Sequence, residues 1–155
     1  MQPLNIGTEK ALEKILKYCN YQERNHMEVR EKLFSYGLYK EQVEELISQL
    51  IAENHLNEER YAIAFVGGKF RMKSWGRIKI RYELKKHQVS DYCIKKALSQ
   101  IDEDQYLDRM NKLFTEKATA LRQEKNFFVK KKKIMSYLQQ KGYESSLISD
   151  LLKEI

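Results

Sequence analysis

The histidines and cysteines of this chain are its candidate bases, nucleophiles and metal ligands. His26, His55 and His87 lie far apart, and none has a nucleophile or a carboxylate at a spacing typical of catalytic sites. Cys19 and Cys93 are isolated too, with no partner at the spacing of a metal site. No phosphate-binding glycine loop occurs. We therefore expect a protein that is not an enzyme and that holds no metal or cofactor.

Basic side chains are more informative, because they are distributed unevenly. Residues 1–59 contain 7 Lys/Arg and 11 Asp/Glu, residues 60–100 contain 11 and 2, and residues 101–155 contain 11 and 9. The three segments carry −4, +9 and +2, which add to the overall charge of +7. The charge of the middle segment is larger than the net charge of the whole chain. This segment is therefore a candidate surface for a polyanion or an acidic protein partner.

A helix predicted from Arg77 to His87 presents basic and apolar residues together on its outer side. At about 100° per residue, Ile80 and Leu84 form the inward stripe. Ile78 and Tyr82 fall on the opposite side, among lysines. They are either exposed anchors for a partner or a packing surface for the next part of the fold.

The link before this helix contains the single tryptophan, Trp75, among basic residues. Its ring either stacks on a partner or fills the space between two helices. Farther along, a run of four lysines begins at Lys130, but successive helical positions point in different directions, so only two of them are counted as a weak extension of the basic surface. The candidate binding residues are Arg71, Lys73, Trp75, Arg77, Ile78, Lys79, Arg81, Tyr82, Lys85, Lys86, Lys132 and Lys133.

A two-helix unit that occurs three times positions these side chains. The segment 29–50 aligns without a gap with 80–101 and with 134–155. Seven columns are apolar in every copy, and their spacing predicts a helix, a turn and a second helix. These columns are Val29/Ile80/Ile134, Leu33/Leu84/Leu138, Leu38/Val89/Tyr143, Val43/Ile94/Ile148, Leu46/Ala97/Leu151, Ile47/Leu98/Leu152 and Leu50/Ile101/Ile155.

A further helical segment precedes each copy, with Thr8, Asn57 and Asp102 at the predicted helix starts. The sequence therefore predicts nine helices and an all-α fold of three tandem three-helix repeats in an elongated, curved array. The predicted repeats span residues 1–55, 56–101 and 102–155, and the second is the basic one.

Glycines mark the predicted turns. Gly37 and Gly142 share one repeat position, where the backbone is expected to be left-handed. The second copy has Gln88 there, so we expect its helix to close differently. Gly67 and Gly68 predict that the helix containing them ends early or has a mobile basic end.

No signal peptide and no apolar run of about 18 residues is visible in the sequence. We therefore expect a cytoplasmic protein that does not contact membranes, and we expect it to be a monomer.

Two segments of the middle copy resemble the RecX family, the bacterial regulators of the RecA recombinase. The first is Leu56-Asn57-Glu58-Glu59-Arg60-Tyr61-Ala62 with Ala64, Phe65 and Val66. The second is Trp75-Gly76-Arg77-Ile78-Lys79-Ile80-Arg81 with Glu83 and Leu84. The resemblance is strong over the middle copy, and the threefold helical repeat extends it over nearly the whole chain.

The resemblance implies a non-enzymatic modulator that lies in the groove of the RecA filament on single-stranded DNA. Members of the family restrain filament growth, ATP hydrolysis and strand exchange in DNA repair and the SOS response. The resemblance implies the RecA filament as the protein partner, with single-stranded or duplex DNA as an additional, non-specific one. The basic candidates would then be electrostatic contacts, and Trp75, Ile78 and Tyr82 would be packing anchors.

The competing hypothesis is an autonomous nucleic-acid-binding module. Two helices joined by a tight turn resemble a helix-turn-helix, but the second helix of the middle copy begins Ser90-Asp91-Tyr92, which is poorly suited to reading bases. Non-specific phosphate binding fits better. A pure scaffold would not need charge concentrated in one unit.

Overall fold

The structure, a computed structural model, describes residues 3–155, in which nine α-helices and no strands occur. The predicted all-α fold of nine helices is confirmed. The helices are α1 (Thr8–Tyr21), α2 (His26–Ser35), α3 (Lys40–Ala52), α4 (Glu58–Lys73), α5 (Arg77–Lys86), α6 (Asp91–Leu98), α7 (Glu103–Ala120), α8 (Phe127–Lys141) and α9 (Ser145–Leu152).

The helices follow the register of the sequence repeat. The second helices α2 and α5 begin at equivalent positions, as do the third helices α3, α6 and α9. Helix α8 begins at Phe127, ahead of Lys131, the position equivalent to Arg77. This extra N-terminal turn exposes Phe127 and Phe128, which are 52% and 85% accessible to solvent.

The apolar columns form the core, with an exception at the end of the unit. The first five columns are buried in all three copies. In the last column Leu50 is buried, Ile101 is half-buried and Ile155 is exposed. The reason is helix length, since α3 continues through this column whereas α6 and α9 end before it.

The buried side chains of residues 3–155 form two cores. One comprises eleven residues from Ala11 to Leu56, and the other comprises twenty residues from Tyr61 to Leu151. The second and third repeats thus share one core, whereas the first repeat has its own.

Polar contacts cross the boundary between the two cores. The side chain of Asn25, 3% exposed, caps α2 through its carbonyl oxygen and donates to the Tyr61 hydroxyl at 3.2 Å. This hydroxyl lies 2.9 Å from His87 Nδ1. Arg60 pairs with Glu23 at 2.5 Å. The N-terminal repeat is therefore attached partly by hydrogen bonds and an ion pair.

The molecule is extended for its mass. It exposes 10111 Å², whereas a compact protein of 18.6 kDa exposes about 8,200 Å². This excess agrees with a tandem array in which each unit packs mainly on its neighbours.

The different helix closure predicted at Gln88 is wrong, and so is the early helix end that was one of the two alternatives for Gly67 and Gly68. Gln88 has φ 62°, so it adopts the left-handed conformation that Gly37 (φ 81°) and Gly142 (φ 98°) adopt at the same repeat position. The second copy therefore closes its helix as the others do. Helix α4 also continues through Gly67 and Gly68 without interruption, because its buried stripe of Ala62, Val66 and Phe70 packs across that stretch.

The helices that precede the repeat units begin with a side-chain cap in two of three cases, of which Asn57 was predicted as a cap. The side chains of Asn57 and Asp102 accept the backbone N–H groups of Arg60 and Gln105 at 2.9 and 3.0 Å. Thr8, however, is the first helical residue of α1, and Gly7 occupies the capping position.

None of the helices in residues 3–155 is long and apolar enough to cross a membrane. The same part of the chain contains no cluster of three or more His, Cys, Asp or Glu side chains that could hold a metal ion.

Candidate partner-binding surface

Helix α5 is fixed in place by a backbone junction with the third repeat. The N–H of Gly76 donates to the Lys141 carbonyl at 2.7 Å, and the N–H of Ile78 donates to the Gly142 carbonyl at 2.9 Å. The start of α5 therefore meets the end of α8, and each satisfies groups that the other leaves unpaired. A Cβ atom at Gly76 would lie 2.4 Å from the Gly142 oxygen, so only glycine permits this approach.

Arg77, the first residue of α5, is held by an ion-pair network. Its guanidinium pairs with Glu144 at 2.7 Å and with Glu103, and it lies 3.8 Å from the centre of the Tyr106 ring. The Tyr106 hydroxyl donates to Glu144. Burial and this neighbouring carboxylate raise the pKa of Tyr106 far above its ordinary value, so the hydroxyl stays protonated. The charge of Arg77 is thus balanced inside the molecule.

The outer face of α5 combines exposed apolar and basic side chains. Ile78 is 52% exposed and Tyr82 is 64% exposed, so the next repeat buries neither side chain. Arg81 and Lys85 are exposed beside them. We call this set of four residues the α5 face. Together with Arg77 and Glu144 it lines an open groove of about 500 Å³.

The basic residues of the α5 face also border a second groove. Arg81 and Lys85, with Lys95 of α6, line about 430 Å³ on the other side. Lys85 lies 3.7 Å from Asp91, and the neighbouring Lys86 lies 3.8 Å from Glu83. Such exposed ion pairs contribute little to the stability of the fold, so the lysine ammonium groups remain available to a partner that binds them more strongly.

Trp75 fills space between helices rather than standing free. The half-buried indole packs on the core and lies edge-on to the Phe65 ring, with centroids 6.5 Å apart. The amino groups of Lys69 and Lys79 lie 5.0 and 4.5 Å from its centre. Lys79 is therefore partly engaged within the molecule, and Trp75 has the plug arrangement that the sequence left open.

The family is identified by two matches that together cover more than half of the chain. Residues 57–98 match the model of the second three-helix domain of RecX, and residues 103–152 match that of the third. The chain belongs to the RecX family. A regulatory protein RecX from Prosthecochloris aestuarii is 30% identical over 149 residues, covering 96% of this chain and 95% of the relative.

Other RecX proteins differ in length. A regulatory protein RecX from Thermotoga petrophila is 30% identical and covers 97% of this chain, which spans 88% of it. Against the RecX of Bacillus cytotoxicus, which is 26% identical, the chain spans 56% of the relative's length. The crystal structure of RecX from Lactobacillus salivarius matches with a TM-score of 0.85 at 24% identity, covering 95% of each chain, and shows the same fold. Because the relatives are regulatory proteins, membership of the family indicates a regulatory role for this chain.

The remaining candidate residues lie away from the α5 face. Arg71 is exposed on α4, where it borders a different cleft with Ile63 and Gln100. Lys73 is exposed at the end of α4. Lys132 and Lys133 are exposed near the start of α8, about 15 Å along that helix from its junction with α5. The RecX chain thus has its predicted basic residues on several surfaces.

Sequence reasoning missed the residues that anchor the α5 face. Glu144 is 67 residues from Arg77, and Tyr106 is 29 residues away. Glu144 directly follows an apolar repeat column, but no sequence signal links it to an arginine in another repeat. Lys95, which lines the second groove, could have been included among the candidates from the sequence, because it is a basic residue in the segment with the most positive charge. The structure shows that it is exposed.

Proposed function

We propose that this chain regulates the RecA recombinase, mainly as an inhibitor. It binds along the groove of the RecA filament on single-stranded DNA and restrains filament growth, ATP hydrolysis and strand exchange in DNA repair and the SOS response. It acts in the bacterial cytoplasm as a monomer, without catalysis of its own. The observation that carries this proposal is the exposed α5 face in a chain of the RecX family.

The chemistry of the α5 face suits an acidic protein surface next to DNA phosphates. Ile78 and Tyr82 supply apolar area that a partner can bury, and residues of this kind dominate interface energies when they are desolvated. Arg81 and Lys85 surround them with positive charge, which accelerates association and orients the partner. The extended array offers length to contact more than one subunit of a filament.

The test is a titration of the protein against preformed RecA filaments and against naked single-stranded DNA over a range of salt concentrations. We expect tighter binding to filaments, with a weaker dependence on salt. The variant Arg81→Glu/Lys85→Glu should bind filaments at least about tenfold more weakly. Lys10→Glu/Lys17→Glu changes the net charge by the same amount on exposed positions of α1 and should leave filament binding nearly unchanged.

Two results would contradict the proposal. The first is full inhibition of RecA by the α5 variant, which would move the binding surface elsewhere. The second is equal affinity for naked DNA and for filaments, with a steep salt dependence. That result would favour an autonomous, non-specific nucleic-acid-binding module, the alternative supported by the +9 charge of residues 60–100.

A further inference from the structure

The first turn of α8 has no counterpart in the other repeats. This helix begins at Phe127, whereas the position equivalent to the start of α5 is Lys131. Phe127 and Phe128 are 52% and 85% exposed, and neither belongs to one of the two cores. The packing of the repeats therefore does not account for these two rings. We call residues 127–133, which begin with them, the α8 tip.

The charge of the α8 tip and its flank has one sign. Residues 125–133 contain five lysines and no aspartate or glutamate. Within residues 3–155, Lys133 is the only one of the five whose amino group lies within 4 Å of a carboxylate oxygen, that of Glu124 at 3.5 Å. The other four lysines therefore keep charge that no neighbouring carboxylate balances at close range.

Each exposed ring has a lysine beside it. The amino group of Lys131 lies 4.8 Å from the centre of the Phe127 ring. Phe128 precedes Lys132 by one helical turn and so shares its side of the helix. Lys132 also lines an open groove of about 400 Å³ with Lys117. Positive charge thus continues from the rings along the third repeat.

We propose that the α8 tip binds single-stranded nucleic acid. Unpaired bases stack on Phe127 and Phe128, and phosphates pair with Lys130, Lys131 and Lys132. Exposed aromatic rings beside basic side chains are the combination with which proteins hold single strands without sequence preference. This site is in the third repeat, whereas the α5 face is in the second, and the inference does not rest on the proposed function.

The arrangement of the lysines favours a single strand over other anionic partners. Successive helical positions point in different directions, so a rigid acidic protein can meet only part of the run, whereas a flexible strand with a phosphate at every nucleotide can follow the helix. A duplex has the phosphates, but its bases are stacked on one another and closed to the rings. A membrane-surface helix needs a continuous apolar face, and Ile134 and Leu138 of α8 are buried in the core.

The probe is a fluorescein-labelled oligothymidylate of about 12 nucleotides, a length that one small binding domain can cover. The readout is fluorescence anisotropy with the full chain. Phe127→Ala/Phe128→Ala removes both rings without changing the net charge. We expect it to lower the affinity at least about tenfold, because each stacked base contributes to binding. The same ratio should appear in the Arg81→Glu/Lys85→Glu background, since the α5 face is a separate surface.

A lysine variant tests the electrostatic part of the site. Lys130→Gln/Lys132→Gln should make the slope of log affinity against log salt concentration less negative by about 1.4, which is about 0.7 for each phosphate contact on a single strand. The phenylalanine variant should leave this slope unchanged, because it removes no charge. The two variants therefore separate base stacking from charge.

The matched control is Tyr21→Ala/Tyr92→Ala, which removes two rings that are 82% and 69% exposed in the first and second repeats. It should leave oligonucleotide binding unchanged. The melting temperature of each variant shows whether it is folded.

Undiminished oligonucleotide binding by the phenylalanine variant would overturn the proposal. So would a duplex that binds equally well and loses the same factor in that variant. Binding to vesicles that contain phosphatidylserine, lost in the phenylalanine variant while oligonucleotide binding persists, would overturn it too and assign the α8 tip to a membrane. RecA inhibition is measured separately, so failure here leaves the proposed function standing.

Discussion

Arg77 and Arg81 lie one helical turn apart on α5, yet their guanidinium groups have different surroundings. Arg77 is balanced by Glu103 and Glu144, whereas Arg81 is exposed between two grooves. The first arginine holds the helix in place, and the second is available to a partner. At the scale of single residues, positive charge alone therefore does not identify a partner contact. Whether a basic side chain is available to a partner depends on the carboxylates that surround it.

Gln88 provides a prediction at this scale. Its backbone is left-handed at φ 62° and its side chain is exposed, so the conformation costs free energy that no side-chain burial offsets. Gln88→Gly should raise the free energy of unfolding by roughly 0.5 to 1 kcal/mol, and urea denaturation would measure it. The control Gln22→Gly, at an exposed position with an extended backbone, should not raise the free energy of unfolding. A loss of stability in Gln88→Gly would mean that the side chain makes contacts worth more than the strain.

At the scale of elements, α5 is positioned by its first turn rather than by its length. Its ten residues bury only Ile80 and Leu84, and its start is joined to the end of α8 by two backbone hydrogen bonds. Displacing that junction would move the α5 face relative to the third repeat. The orientation of the proposed binding surface therefore depends on a contact between two turns.

Two glycines of the same region should respond in opposite ways to alanine. Gly76→Ala places a Cβ 2.4 Å from the Gly142 oxygen and should lower the free energy of unfolding by about 2 to 4 kcal/mol. Gly68→Ala meets no atom within 4 Å inside α4 and should raise it by about 1 kcal/mol. Urea denaturation of both variants tests the pair. Equal effects would show that the α5–α8 junction can relax freely.

At the scale of the whole molecule, the chain consists of two cores of unequal size. The first repeat buries eleven residues in its own core, and the other two repeats share a core of twenty. Since stability grows with the buried apolar surface, the first repeat should open at a lower free energy than the rest. The Asn25–Tyr61 hydrogen bond is one of the contacts that couple the two parts.

Removing the Tyr61 hydroxyl tests this coupling. Tyr61→Phe leaves the Asn25 amide without its hydrogen-bond partner at a buried position, which should cost about 1 to 3 kcal/mol. Hydrogen exchange should then accelerate in α1 to α3 more than in α5 and α8. Tyr92→Phe, which removes an exposed hydroxyl, is the control. Uniform acceleration across all helices would argue for a single cooperative unit.

The repeat columns predicted the fold because they depend on local periodicity, and the predicted helix start at Arg77 agrees with the start of α5. Continuity of α4 through Gly67 was not predictable, since tertiary packing of its buried stripe overrides the low helix propensity of glycine. The role of Arg77 was not predictable either, because its partners come from the third repeat. The exposure of Ile78 and Tyr82 could not be predicted from the sequence, because helical periodicity shows which side of the helix they face but not whether another helix covers that side.

Trp75 is the single tryptophan of the chain and lies where α4 and α5 meet. Two amino groups within about 5 Å of the indole make its surroundings strongly charged. Tryptophan emission of the unlabelled protein, excited at wavelengths that tyrosine does not absorb, therefore originates at one place, just before the start of α5. Any ligand that draws Lys79 away changes the local field at the ring, so the molecule carries its own optical label.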